Sequence, residues 1–109
     1  MNGYAIAHLQ DVTIGADIVQ YLQRIDATLA PFGGRFLVHG ADPSELEGEV
    51  PGAPIVIEFP STAQARDWYD SPAYREILPL RTRNSRSMAY LVDGVDPDHR
   101  ATDVLAKEP

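Results

Sequence analysis

The stretch GYAIAHL (3–9) constrains the fold more than any other part of this chain. As a strand, its period of two puts Tyr4, Ile6 and His8 on one face and Ala5, Ala7 and Leu9 on the other. Both sets are largely apolar, so the strand needs cover on both sides. One sheet under one layer of helices would leave one of those sides in water.

The remaining elements follow from periodicity and punctuation. Ile14, Ile18, Leu22, Ile25, Leu29 and Phe32 recur at spacings of three and four, which predicts an amphipathic helix. Pro31 disfavours its continuation, and Gly33-Gly34 permits the exit turn. GRFLVHG (34–40) is the second strand; strict alternation sets Phe36 and Val38 opposite Arg35, Leu37 and His39. A connector rich in proline and glycine leads to the third strand, PIVIEF (54–59), closed by Pro60. Ser61-x-x-Gln64 fits a capping box for a helix to about Tyr69. Ser71-Pro72 starts the next piece, with Tyr74, Ile77 and Leu78 inward and Pro79 expected to kink or end it. SMAYLV (87–92) is the fourth strand. Residues 1–95 are expected to form one domain, and residues 96–109 a polar, acidic tail with at most one helical turn near Val104 and Leu105.

The order strand, helix, strand, strand, helix, strand predicts an α+β, ferredoxin-like βαββαβ fold. Its antiparallel sheet has the strand order 4-1-3-2, with helices on one face. Apolar residues on the other face then require a second cover, and the simplest is an identical sheet from a second chain. A homodimer is expected.

Charge and composition narrow the function classes. Sixteen acidic residues against nine Lys and Arg give a net charge of −7 and exclude a broad cationic surface for nucleic acid or anionic membrane. Four of those nine cations, Arg75, Arg81, Arg83 and Arg86, fall within twelve residues, so a small anion could be attracted locally. There is no cysteine, hence no disulfide, thiolate nucleophile or Cys-based metal site. No apolar run approaches the ~20 residues of a membrane span. The start lacks the pattern of a secretory signal, so a cytoplasmic protein is the expectation.

FGGRFLVHG, LEGE, VIEFPSTAQARDWYDSPAYREILPLR and YLVDGV together resemble the domain-of-unknown-function family 1330, from about Tyr4 to Val95. The resemblance implies a dimeric α/β barrel, in which two such sheets pair. It implies little about activity, because the family has no established one and the superfamily spans cofactor-free enzymes, haem enzymes and proteins that only bind ligands.

Several residues could carry chemistry. Glu58 is a carboxylate in an apolar run. It is either a structural ion-pair member, with an arginine from 81–86 as the expected partner, or a pocket base with a raised pKa. His8 is either a proton-transfer group or a hydrogen-bonded core histidine. His8 and His39 should lie at one end of the sheet, two strand spacings or roughly 10 Å apart, able to flank a small molecule. No third ligand accompanies them, so no metal site is expected, and no cofactor motif occurs. Trp68 and Tyr74 either plug the core or wall a ligand. Arg81 either holds an anion or pairs with one of the chain's own acids. Two functions follow: a cofactor-independent enzyme in which His8 or Glu58 moves a proton while Arg81 orients an anionic or carbonyl-bearing metabolite, or a non-catalytic ligand-binding or accessory module.

Overall fold

In the computed structural model, which describes residues 1–106, β1 (Gly3–Gln10) occupies an inner position of a four-stranded antiparallel sheet. The order is β2 (Arg35–His39), β3 (Ala53–Phe59), β1, β4 (Arg86–Asp93), as the alternation of periods predicts. Gly3, Ala5, Ala7 and Leu9 face the helices; Ala5 stands opposite Ile57 and Ala7 opposite Ile55. Gly3 is required by close approach, since a Cβ there would lie 2.3 Å from the backbone nitrogen of Thr62.

Helix α1 (Ala16–Leu29) buries Ile18, Tyr21, Ile25, Thr28 and Leu29. Ile14 precedes the extended cap residue Gly15 and is 74% exposed, so the apolar stripe starts one turn later than its spacing suggests. A 3-10 turn (Ala30–Phe32) continues α1 and ends at Gly33, whose φ of 73° is the left-handed conformation glycine tolerates.

Helices α2 (Thr62–Asp70) and α3 (Pro72–Thr82) meet at Ser71. The Ser61 hydroxyl accepts from the Gln64 backbone N–H at 3.1 Å and donates to the Gln64 side chain, a variant of the expected capping box. The Ser71 hydroxyl accepts from the Tyr74 N–H at 3.3 Å and donates to the Trp68 carbonyl at 2.7 Å, stitching the two helices together. Pro79 does not end α3. Its missing N–H frees only the carbonyl of Arg75, and both residues lie on the exposed side, where water can replace the bond.

The core lies between the helices and one face of the sheet. Phe59, Tyr74 and Ile77 are its fully buried large side chains, with Trp68, Ile25 and Leu29 around them. The opposite face carries no helix. There Met88, Tyr90 and Val92 are 51%, 47% and 43% exposed, beside half-buried Tyr4, Ile6 and His8. Beyond β4, Gly94 donates to the Asn2 carbonyl at 2.7 Å, and a 3-10 turn (Ala101–Ala106) leaves Val104 and Leu105 exposed.

Candidate functional site

Small side chains on the sheet open a cavity beneath the helices. Ala5 and Ala7 on β1 and Ala89 on β4 form its floor, where larger residues would have filled the layer. Tyr21 and Ile25 of α1 and Trp68 of α2 close it from above, leaving about 190 Å³. Exposed His39 and Ala89 stand where the cavity meets solvent.

The polar groups of the cavity are mostly donors. The Tyr21 and Tyr74 hydroxyls lie 2.7 Å apart and share one hydrogen bond, so one phenolic hydrogen is left to donate elsewhere. Arg81 is only 6% exposed. Its Nη1 donates to the Ser87 hydroxyl at 2.7 Å, and no ion pair among the described residues includes it. The sequence left open whether Arg81 pairs with an acid of the chain. Arg75, Arg83 and Arg86 do, with Asp70, Asp17 and Asp11, but Arg81 does not. Burial pushes the Tyr21 phenol well above its ordinary range, the Tyr74 hydroxyl adds to this, and the Arg81 guanidinium pulls the other way. Tyr21 therefore serves as a neutral hydrogen-bonding group at neutral pH. Among the described residues no Asp or Glu lines the cavity, whereas Arg81 and Arg66 both do.

Glu58 points the other way. Alternation with buried Ile57 and Phe59 turns it onto the helix-free face, in one row with Tyr4 of β1 and Arg35 of β2. Its carboxylate accepts from Arg35 Nη2 at 2.8 Å, Arg35 Nε at 3.0 Å, the Tyr4 hydroxyl at 3.0 Å and the Asn2 amide at 3.1 Å. The bonds from Arg35 first, then Tyr4, hold its pKa below the ordinary carboxylate value, opposite to the raised pKa a pocket base requires. The expected partner from residues 81–86 is thus replaced by Arg35, because antiparallel pairing of β2 with β3 sets Arg35 directly opposite Glu58.

The two histidines part company. His8 lies on the helix-free face opposite Pro54 and Met88, and its Nδ1 is buried with no hydrogen-bond partner among the described residues. His39 lies on the cavity face, stacked on Phe36 with ring centroids 4.3 Å apart. A bulge between Phe36 and Val38 inserts one residue into β2, which brings Phe36 and His39 to the same side against strict alternation. They cannot flank one ligand with the sheet between them. Among the described residues there is no His, Asp and Glu cluster able to hold a metal.

His39, Trp68, Tyr74 and Arg81 all line this cavity, whereas His8 and Glu58 lie behind it. Trp68 and Tyr74 also belong to the core, packed with centroids 4.1 Å apart. Tyr21 was not singled out from the sequence, although it falls three residues after Ile18 and four before Ile25 on the buried stripe. The alanine floor gave no signal, because an alanine marks space only once the opposing layer is known.

With this geometry in view, the profile of the domain of unknown function DUF1330 matches residues 2–95. The chain belongs to the DUF1330 family. A comparison with curated proteins finds no match. Similar solved structures include a protein of unknown function from Rhodopseudomonas palustris, 17% identical with a TM-score of 0.65, covering 88% of this chain and 84% of that one. Another is a dimeric ferredoxin-like protein of unknown function from Thermobifida fusca, at 19% identity and TM-score 0.57, covering 85% of this chain and 91% of its own. A third, from Jannaschia sp., carries the same description at 10% identity and TM-score 0.59, with coverage of 86% and 100%. At these identities the likeness bears on the fold, which is the ferredoxin-like DUF1330 arrangement. No helix among the described residues of this DUF1330 chain is long and apolar enough to cross a membrane.

Proposed function

We propose that this DUF1330 protein is a homodimer that binds a small anionic or carbonyl-bearing metabolite in the cavity between its sheet and its helices. The observation that carries the reading is Arg81. A buried guanidinium without an acidic partner is costly, by several kcal/mol before compensation, and an incoming anion offsets that cost. The chain as a whole is strongly acidic, yet among the described residues the cavity is lined by two arginines and by no acid. The homodimer is supported by the exposed Met88, Tyr90 and Val92 on the helix-free face and by the dimeric description of the similar structures from Thermobifida fusca and Jannaschia sp..

Trp68 fluorescence provides the test, since Trp68 is the sole tryptophan and lines the cavity. Titration at pH 7 with acetate, pyruvate, benzoate and the cation benzylamine should give saturable changes with one or more of the anions and none with the cation. Equal binding of benzylamine would overturn the reading.

A further inference from the structure

Resting on the cavity reading, we infer that the ligand is a flat, single-ring aromatic carboxylate, its carboxylate directed toward β4 and its ring toward β2.

The cavity is polar at one side and aromatic at the other. Arg81 is tied to Ser87, at the beginning of edge strand β4, and the Tyr21 and Tyr74 hydroxyls lie close enough to shift its proton affinity. At the other edge of the sheet, β2 contributes the stacked Phe36 and His39 rings, whose planes are 17° apart. The bulge in β2 puts both rings on this side, so the aromatic wall is a specific product of the local backbone.

Size and shape agree with charge. An apolar cavity of roughly 150 Å³ accommodates a benzene ring, and this one measures about 190 Å³, which adds room for a carboxylate. Ala5, Ala7 and Ala89 keep the floor low over β1 and β4, and Ile55 and Ile57 of β3 border it toward β2, giving an apolar bed for a planar body lying along the sheet. Opposite it, Trp68 and Tyr74 supply further ring faces. On the donor side, Arg81 donates to the Ser87 hydroxyl and lies against the Tyr21 and Tyr74 hydroxyls, which leaves N–H groups of its five for a ligand, and the phenol pair has one free hydrogen. Acceptors are scarce, so the group bound there must bring oxygen lone pairs and negative charge. Ring-bearing amines, alcohols without an acid, and phosphate esters with a bulky dianionic head fit this donor set or this volume less well.

Calorimetric titration of the full chain with benzoate, hexanoate and 2-oxobutyrate, all monoanions at pH 7, tests the inference. Benzoate is expected to bind about tenfold more tightly than either acyclic acid, through ring stacking and pre-organised shape. Arg81→Gln should weaken benzoate about tenfold or more by removing the charge-assisted hydrogen bonds. Ala7→Leu, which keeps Arg81 but fills the floor, should abolish benzoate binding in a protein that still unfolds cooperatively. Acyclic acids binding as tightly as benzoate would overturn the aromatic class while leaving the anion cavity intact. No binding by any of the three would overturn both. Undiminished benzoate affinity in Ala7→Leu would place the ligand elsewhere and overturn the inference as well.

Discussion

The two faces of the sheet carry the same kind of chemistry and treat it in opposite ways. On the helix-free face, Glu58 is surrounded by Arg35, Tyr4 and Asn2, and its acceptor capacity is largely used. On the helix-covered face, Arg81 is more deeply enclosed but has only a serine hydroxyl and two phenols beside it. A charge already satisfied by its own chain has little left to offer a ligand. A buried charge lacking its complement is where the proposed anion would be held. The acid that looks conspicuous in the sequence is thus the structural one, and an arginine within a cluster of arginines is the functional candidate.

The sharpest way to break this contrast is to charge the helix-free face. Tyr90→Glu buries a carboxylate in the proposed interface twice per dimer, and one uncompensated buried charge costs about 3–5 kcal/mol. Light scattering should report a monomer, and a dimer unchanged in mass and concentration dependence would contradict the assignment of that face. Next in size is Phe59→Ala, the helix-side neighbour of Glu58 and wholly buried. It should lower stability by about 3–5 kcal/mol in urea unfolding, through lost burial and the cavity left behind.

Glu58→Gln should act more gently and in a pH-dependent manner. Because the folded-state pKa of Glu58 is depressed, its contribution is full above the ordinary value of 4.5 and is lost as pH falls through the lowered value. Wild type should therefore lose stability on acidification faster than Glu58→Gln, measured as Tm between pH 6 and pH 3. Parallel curves would show that the Arg35 pair contributes nothing. Smallest is Tyr21→Phe, which removes one hydroxyl of the buried pair and should cost about 1 kcal/mol. The raised Tyr21 pKa adds a sign test. Wild type should lose stability as pH rises above the ordinary phenol value of 10.0, and Tyr21→Phe should lose less of it.

Much of the fold was legible because periodicity is a local property. The double-sided apolar strand at 3–9, the stripe through Ile18, Ile25 and Leu29, and the caps at Ser61 and Ser71 each announce themselves within a few residues. Four side chains of the cavity, His39, Trp68, Tyr74 and Arg81, were also recoverable as candidates. What escaped depends on register. Arg35 becomes the partner of Glu58 only once β2 is aligned on β3, and the bulge that turns His39 toward the cavity has no signature in RFLVH. Pro79 does not terminate α3, since a proline at an exposed helix position sacrifices a bond that water restores.

The central claim is that ligand binding belongs to the helix-covered face and to Arg81. The most direct measurement is the shift in Tm caused by saturating benzoate at pH 7 in three proteins: wild type, Glu58→Gln and Arg81→Gln. Ligand that binds only the folded state raises stability by about 2.7 kcal/mol at a hundred times Kd and by about 1.4 kcal/mol at ten times Kd, so at one benzoate concentration the shift should be full in wild type and Glu58→Gln and cut to about half or less in Arg81→Gln. A shift that survives in Arg81→Gln and disappears in Glu58→Gln would contradict the claim and move the site to the other face of the sheet.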